Sequence, residues 1–249
     1  IATGLRQAYL RKGETPTGLA WAFERATHKN PHGVAVVYED QKYTYTELNA
    51  RANQIAHYLK SLGAKKGDVI AVMVENRPEL LATVIGLAKI GVISALVNTS
   101  QTGKVLTHSI NLVKPIGIIL GEEVRVAIDE IRTDLSVAED RFFWFADEAT
   151  RTSTAQAPEN YQHSGQLIDS MPKDNLDITQ QVYGDDGLFY IYTSGTTGLP
   201  KAVIFKNSRW MLAYGTYGHV LHLNNKDVMY ATLPLYHATG LVVCWCGVI

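Results

Sequence analysis

The sequence predicts an α/β fold built of mostly parallel sheets covered by helices. Three observations carry that expectation. Short β-prone runs alternate with amphipathic helical stretches, and the runs recur at roughly two dozen residues, the period of βαβ units. The runs at Val69–Val74 (VIAVMV) and Val92–Val97 (VISALV) are almost wholly apolar, as strands covered on both faces are. The helical stretches between them carry start and stop signals that fix their ends.

In chain order, the first clear helix spans Thr44 to Gly63. Thr44 and Glu47 fit a capping box. Leu48, Ala52, Ile55, Leu59 and Leu62 form one apolar stripe, and Gly63 fits the C-terminal cap. The strand Val69–Val74 follows. Pro78 suits the first turn of a helix running to about Ile90, which Gly91 ends. Leu80 to Val97 approaches the length of a membrane span, but Gly86, Lys89 and Gly91 interrupt it, so a helix followed by the strand Val92–Val97 is the better reading. Next come a weaker helix over Lys104–Leu112, a strand over Ile116–Leu120, a charged helix over Glu122–Leu135 and a strand over Arg141–Phe145. From about residue 147 to 186 the chain is polar and reads as a surface excursion holding one short helix. Leu188–Thr193 and Ala202–Phe205 are β-prone on either side of a glycine-rich loop. Asn207 or Ser208 can cap a helix over Arg209–Leu221, with Trp210 and Tyr214 on its core face. Asp227–Leu233 reads as a final strand, leading into the turn PLYHATG.

Composition bounds the classes. The 249 residues are 46% hydrophobic and 19% charged with net charge −1, so no nucleic acid or other polyanion is implied as a partner. The two cysteines, Cys244 and Cys246, would point to one face if on a strand, and neighbours this close seldom bridge; two buried thiols in a reducing compartment is the reading. The histidines at 28, 32, 57, 108, 163, 219 and 222 show no metal-ligand or triad spacing, and no G-x-S-x-G elbow is present. The chain opens on Ile1 and closes inside the apolar run GLVVCWCGVI, which reads as part of a longer polypeptide.

The segment that carries chemistry is YIYTSGTTGLPK: Tyr190, Ile191, Tyr192, Thr193, Ser194, Gly195, Thr196, Thr197, Gly198, Leu199, Pro200 and Lys201. Its glycines let backbone N–H groups close on an anion, its four Ser and Thr hydroxyls add donors, and Lys201 supplies a mobile positive charge. A Walker A loop is excluded. The second glycine follows three residues after the first, Lys201 lies between Pro200 and Ala202, and the flanks predict strand, loop, strand in place of strand, loop, helix.

This segment resembles the phosphate-loop signature of the adenylate-forming (AMP-binding) superfamily. TSGTTGLPKA, with Ala202 where most members have glycine, is similar to the branch of fatty acid transport proteins and very-long-chain acyl-CoA synthetases. The resemblance extends through YTYTELNARANQIAHYLKSLGAKKGDVIAVMVENRPELLATVIGLAKIG, with its Asn-x-x-Glu turn. It continues through AKIGVISALVNTS, with Asn98 in place of the more usual Pro, and ATLPLYHATG.

The resemblance implies ATP-dependent activation of a long- or very-long-chain fatty acid, through an acyl-adenylate, to its CoA thioester. ATP, Mg²⁺ and CoA are the implied cofactors and co-substrates, with the phosphate loop wrapping the β- and γ-phosphates. Lys201 is implied to neutralise the leaving pyrophosphate, and His237 to lie near the α-phosphate. Tyr236 and Thr239–Val243 line an acyl channel or pack the core. Residues 1–249 would form part of the N-terminal domain, inactive alone. The ribose-binding, hinge and C-terminal catalytic segments, and the Mg²⁺ carboxylate, would lie outside it. Alternatives are a ligase for a carnitine-like, crotonobetaine-like or aromatic acid, or a non-catalytic fatty-acid uptake protein. A cytoplasmic or membrane-associated, cytoplasm-facing location and peripheral membrane association are family expectations only.

Overall fold

A computed structural model describes residues 15–147, 157–194, 198–224 and 226–249. It opens with helix α1 (Leu19–Lys29) and a hairpin of β1 (Val34–Tyr38) and β2 (Gln41–Thr44), none of which the sequence patterns singled out. Then come α2 (Tyr45–Ser61), β3 (Val69–Met73), α3 (Pro78–Lys89), β4 (Ile93–Leu96), α4 (Gly103–Leu112) and β5 (Gly117–Gly121). After α5 (Arg125–Asp129) follow β6 (Phe142–Phe145), β7 (Gln162–His163), α6 (Ser164–Asp169), β8 (Gly187–Thr193), β9 (Lys201–Lys206) and α7 (Asn207–Val220). A π-helical stretch, Thr239–Trp245, follows near the end.

Seven strands form one sheet in the order β7-β6-β5-β3-β4-β8-β9, parallel throughout except for β9, which returns antiparallel along β8. Alternate residues of the central strands supply two cores. Ile70, Val72, Ile119 and Phe143 face the layer of α1, α2, α3 and α7. Ala71, Met73, Ile118, Leu120, Phe142 and Trp144 face Leu106, Ile110 and Ile128 on α4 and α5. Both sheet faces are covered, which is why the strands are apolar throughout.

The start and stop signals work as the sequence implied. Thr44 and Glu47 close a reciprocal capping box on α2. At the other end Gly63, at φ +89°, turns the chain out. The Gly63 N–H donates to the Lys60 carbonyl and the Ala64 N–H to the Leu59 carbonyl, the two bonds of a Schellman turn. α3 starts on Pro78 and is buried on all sides; among the described residues no helix is long and apolar enough to cross a membrane.

Enclosure of α3 includes a charge. Lys89 is fully buried and ion-pairs with Glu24 of α1; its ammonium also donates to Asn175 Oδ1 at 3.1 Å. The same oxygen accepts from Asn49 Nδ2 (2.9 Å) and Asn53 Nδ2 (3.0 Å) of α2. Burial pulls the Lys89 pKa below the ordinary lysine value, against the opposing influence of Glu24. The polar excursion is therefore anchored: Asn175 ties it to two helices, α2 and α3, and Ile168, Leu176 and Val182 are buried.

Four expectations need correction. The stretch Glu122–Leu135 is not one helix but α5 between two 3-10 turns. Its charges are used sideways: Tyr161 Oη donates to Asp129 (2.5 Å), and the Arg132 guanidinium lies 3.9 Å from the Phe142 ring centre. Asn207 does not cap α7. It is the first residue of that helix, and its buried Oδ1 accepts from the Leu19 N–H (3.3 Å), at the start of α1 instead. Asp227–Leu233 is not a strand: it pairs with nothing among the described residues, and Val228 and Tyr230 stand 84% and 88% exposed. Alternation alone does not make a strand without a ladder partner. The cysteines sit at the helical end of the chain, not on a strand; both are free, but only Cys246 is buried and Cys244 is half-exposed.

Candidate active site

The glycine-rich loop sits where the sequence placed it, between two strands. Tyr190 and Ile191 of β8 lie beside Ala95 and Leu96 of β4, and across the hairpin Thr193 faces Lys201 as the last described pair before the loop. Ile191 is buried, Tyr190 and Tyr192 are half-buried, and Thr193, Ser194, Gly198, Leu199 and Lys201 are exposed. Gly195, Thr196 and Thr197, also expected to bind phosphate, lie outside the described residues.

Helix α4 braces this hairpin at two points. Tyr192 Oη donates to the Ser109 carbonyl at 2.7 Å. His108 Nε2 donates to the Pro200 carbonyl at 3.0 Å, immediately before Lys201. Burial, helped by Tyr190, pushes the Tyr192 phenol well above its usual range, so it stays a hydrogen-bond donor. No local pattern pointed to His108, because its partner is 92 positions away.

His237 lies in a turn, as expected, but at the mouth of the terminal helical segment and not after a strand. Its N–H donates to the Pro234 carbonyl (3.1 Å) and its carbonyl accepts from the Leu241 N–H (3.1 Å). The Thr239 N–H donates to His237 Nδ1 at 3.3 Å. A backbone N–H can only donate, so Nδ1 carries no proton in this arrangement and Nε2 presents the ring's N–H. The exposed imidazole can thereby give a hydrogen bond to an anionic oxygen. Gly240 makes the tight turn feasible, since a Cβ there would lie 2.4 Å from the Pro234 carbonyl oxygen. Leu241 and Val242 pack into the core; Tyr236 and Val243 are half-buried.

The sheet brings these pieces to one edge. Val72, Leu96 and Ile191 stand side by side on β3, β4 and β8, all parallel. Thr193 is two residues past this row. Asn76, three residues beyond the end of β3, holds the His237 turn by hydrogen bonds to Leu233 and Leu235. At ordinary strand spacing β3 and β8 are about 10 Å apart, the scale of a triphosphate. Strand order also reverses here, since β3 lies between β4 and β5, and in such sheets ligands bind outside the carboxyl ends at this point. Among the described residues no three His, Cys, Asp or Glu side chains converge as a metal site.

Residues 23–249 match the family model described as AMP-binding enzyme. Long-chain fatty acid transport protein 1 of Mus musculus is 33% identical over 239 residues, which cover 94% of this chain and 35% of the relative. Medium/long-chain-fatty-acid–CoA ligase FadD6 of Mycobacterium tuberculosis is 30% identical over 250 residues, 100% of this chain and 39% of the relative. The chain thus spans little more than a third of the length of these relatives. Among solved structures, the anthranilate CoA ligase AuaEII in complex with anthranoyl-AMP superposes with a TM-score of 0.78 at 21% identity, covering 93% of this chain and 43% of that one. The N-terminal domain of FACL13 from Mycobacterium tuberculosis does so with a TM-score of 0.70 at 24% identity, covering 93% and 54%. At those identities the structural likeness speaks to the fold.

Proposed function

Because the chain belongs to the AMP-binding enzyme family, we propose that it is the N-terminal part of an acid–CoA ligase that activates a long- or very-long-chain fatty acid. The observation that carries this reading is the shared sheet edge, where the Thr193–Lys201 hairpin mouth and the His237 turn sit at the ends of β8 and β3. The sequence similarity to a long-chain fatty acid transport protein and a medium/long-chain ligase supports the choice of acid.

In this reading a carboxylate oxygen attacks the α-phosphorus of ATP. The bond to the β-phosphate breaks, and pyrophosphate leaves with the bonding pair. The coenzyme A thiol then displaces AMP from the acyl-adenylate to form the thioester. Negative charge grows on the leaving pyrophosphate, so the loop hydroxyls, backbone N–H groups and Lys201 act where the transition state needs them. His237, with Nε2–H outward, donates to an oxygen of the crowded α-phosphate. Mg²⁺, when bound, would share the neutralisation of the phosphates.

The test is acid-dependent pyrophosphate release by the full-length protein containing this chain, with short, long, aromatic and zwitterionic acids. Release with long-chain acids, lost in Lys201→Ala, supports the reading. Release with aromatic or zwitterionic acids alone keeps the reaction and replaces the substrate. No release from a folded, ATP-binding protein favours a non-catalytic fatty-acid uptake role. The 249-residue chain by itself should form no acyl-CoA; turnover by it would refute the division of labour proposed here.

A further inference from the structure

We propose that Asn76 is a positioning residue for His237, acting as a clamp on the turn that carries it. The proposal rests on the function proposed above for its kinetic consequence, though not for its geometry. Asn76 Nδ2 donates to the Leu233 carbonyl at 2.9 Å, and its Oδ1 accepts from the Leu235 N–H at 2.7 Å. One amide thus engages the backbone on both sides of Pro234, as a neighbouring strand would. Pro234 in turn accepts from the His237 N–H, so the clamp is one residue from the hydrogen bond that starts the His237 turn. On the far side Gly240 lies against the Pro234 and Leu233 carbonyls, with no space for a Cβ. The Pro234 turn is held between Asn76 and Gly240.

The clamp is itself rigidly mounted. Arg77 is nearly fully buried; its guanidinium donates to the Phe145 carbonyl at 3.2 Å and pairs with Glu123 at 3.2 Å and Asp147 at 3.7 Å. The Glu75 N–H donates to the other Glu123 oxygen at 2.7 Å. Both neighbours of Asn76 are therefore tied to Glu123, just past the end of β5. A side chain held this way fixes the position of what it binds, and errors of about 1 Å in a reacting group cost on the order of a hundredfold in rate. Asn76 touches no reacting atom in this account; it acts through the turn.

The test is a double-mutant cycle in the full-length protein: Asn76→Ala, His237→Ala and the pair. The readouts are kcat and the KM for ATP in acid-dependent pyrophosphate release. In the wild-type background Asn76→Ala should lower kcat on the order of tenfold or more and leave the KM for ATP within about twofold; the loss should vanish when His237 is already Ala. Equal losses in both backgrounds, or a loss confined to KM, would overturn the proposal. The second readout is the imidazole ¹⁵N spectrum, with His237 assigned by its absence in His237→Ala. Wild type should show Nδ1 unprotonated, and Asn76→Ala should shift that signal toward a free histidine. If wild type releases no pyrophosphate with any acid, the proposed function fails and this spectrum alone decides: a shift upholds the clamp, and an unchanged signal overturns it.

Discussion

Lys89 is wholly enclosed among α1, α2 and α3, whereas Lys201 stands exposed at the mouth of the β8–β9 hairpin. The two environments commit the same ammonium group to different ends. Around Lys89 every polar partner belongs to the fold: Glu24, Asn175 and, through Asn175, Asn49 and Asn53. A buried charge is costly unless paired, so these residues are mutually dependent and offer nothing to a ligand. Around Lys201 the fixed elements are backbone and β-structure, braced from behind by α4, and the charge itself faces outward. The contrast teaches that burial, not residue type, separates the lysine that maintains the architecture from the one left open to solvent.

Breaking the buried side should have the largest effect. Lys89→Ala leaves Glu24 without its partner and should cost about 3–5 kcal/mol of stability, read by denaturant titration. Replacing both partners with apolar residues should recover most of that loss, while specific activity per folded molecule stays unchanged in either case. Lys201→Ala should do the reverse. Adenylation should fall on the order of 10²–10³-fold with no change in thermal midpoint; a lowered midpoint would mean that Lys201 also serves the fold.

Gly240→Ala lies between the two, because it strikes the site through packing. The Cβ must displace the Pro234 carbonyl, which should cost about 1–3 kcal/mol and lower kcat together with stability. The smallest effect is at Tyr192, where Phe removes one hydrogen bond to Ser109, about 1 kcal/mol. The wild-type phenol has its pKa raised in the folded state, so its contribution is complete below the unfolded value near 10 and is lost as pH rises above it. The stability curve of Tyr192→Phe should therefore be flatter than wild type in alkaline solution.

Much of this was legible because it is local. Thr44 with Glu47, Pro78 and Gly63 are signals read within a few residues, and they marked the helices they belong to. The hairpin around the glycine-rich loop was readable from β-prone flanks on both sides. What escaped depends on partners far along the chain. Asn207 looked like a cap for its own helix, but it binds Leu19, 188 positions away. Asn76 was visible only as part of an Asn-x-x-Glu turn, with nothing to point to Leu233 and Leu235 at separations of 157 and 159. Asp227–Leu233 failed for the complementary reason: its pattern suits a strand, but a pattern cannot show whether a neighbouring strand is there to pair with it.

The late position of Asn175 and Asn207 has a consequence for biosynthesis. Helices α1, α2 and α3 leave the ribosome well before the residue that satisfies Lys89, Asn49 and Asn53, and before the one that caps α1. Until then Lys89 has only Glu24 of α1 as its partner, the Asn49 and Asn53 amides lack the acceptor they share, and the final packing of these helices must wait. Completion of the N-terminal layer thus depends on residues translated well after it, and non-local contacts of this kind close late. Nascent chains stalled before Asn175 should stay open to protease across α1–α3, and those in which Asn207 has emerged should resist it.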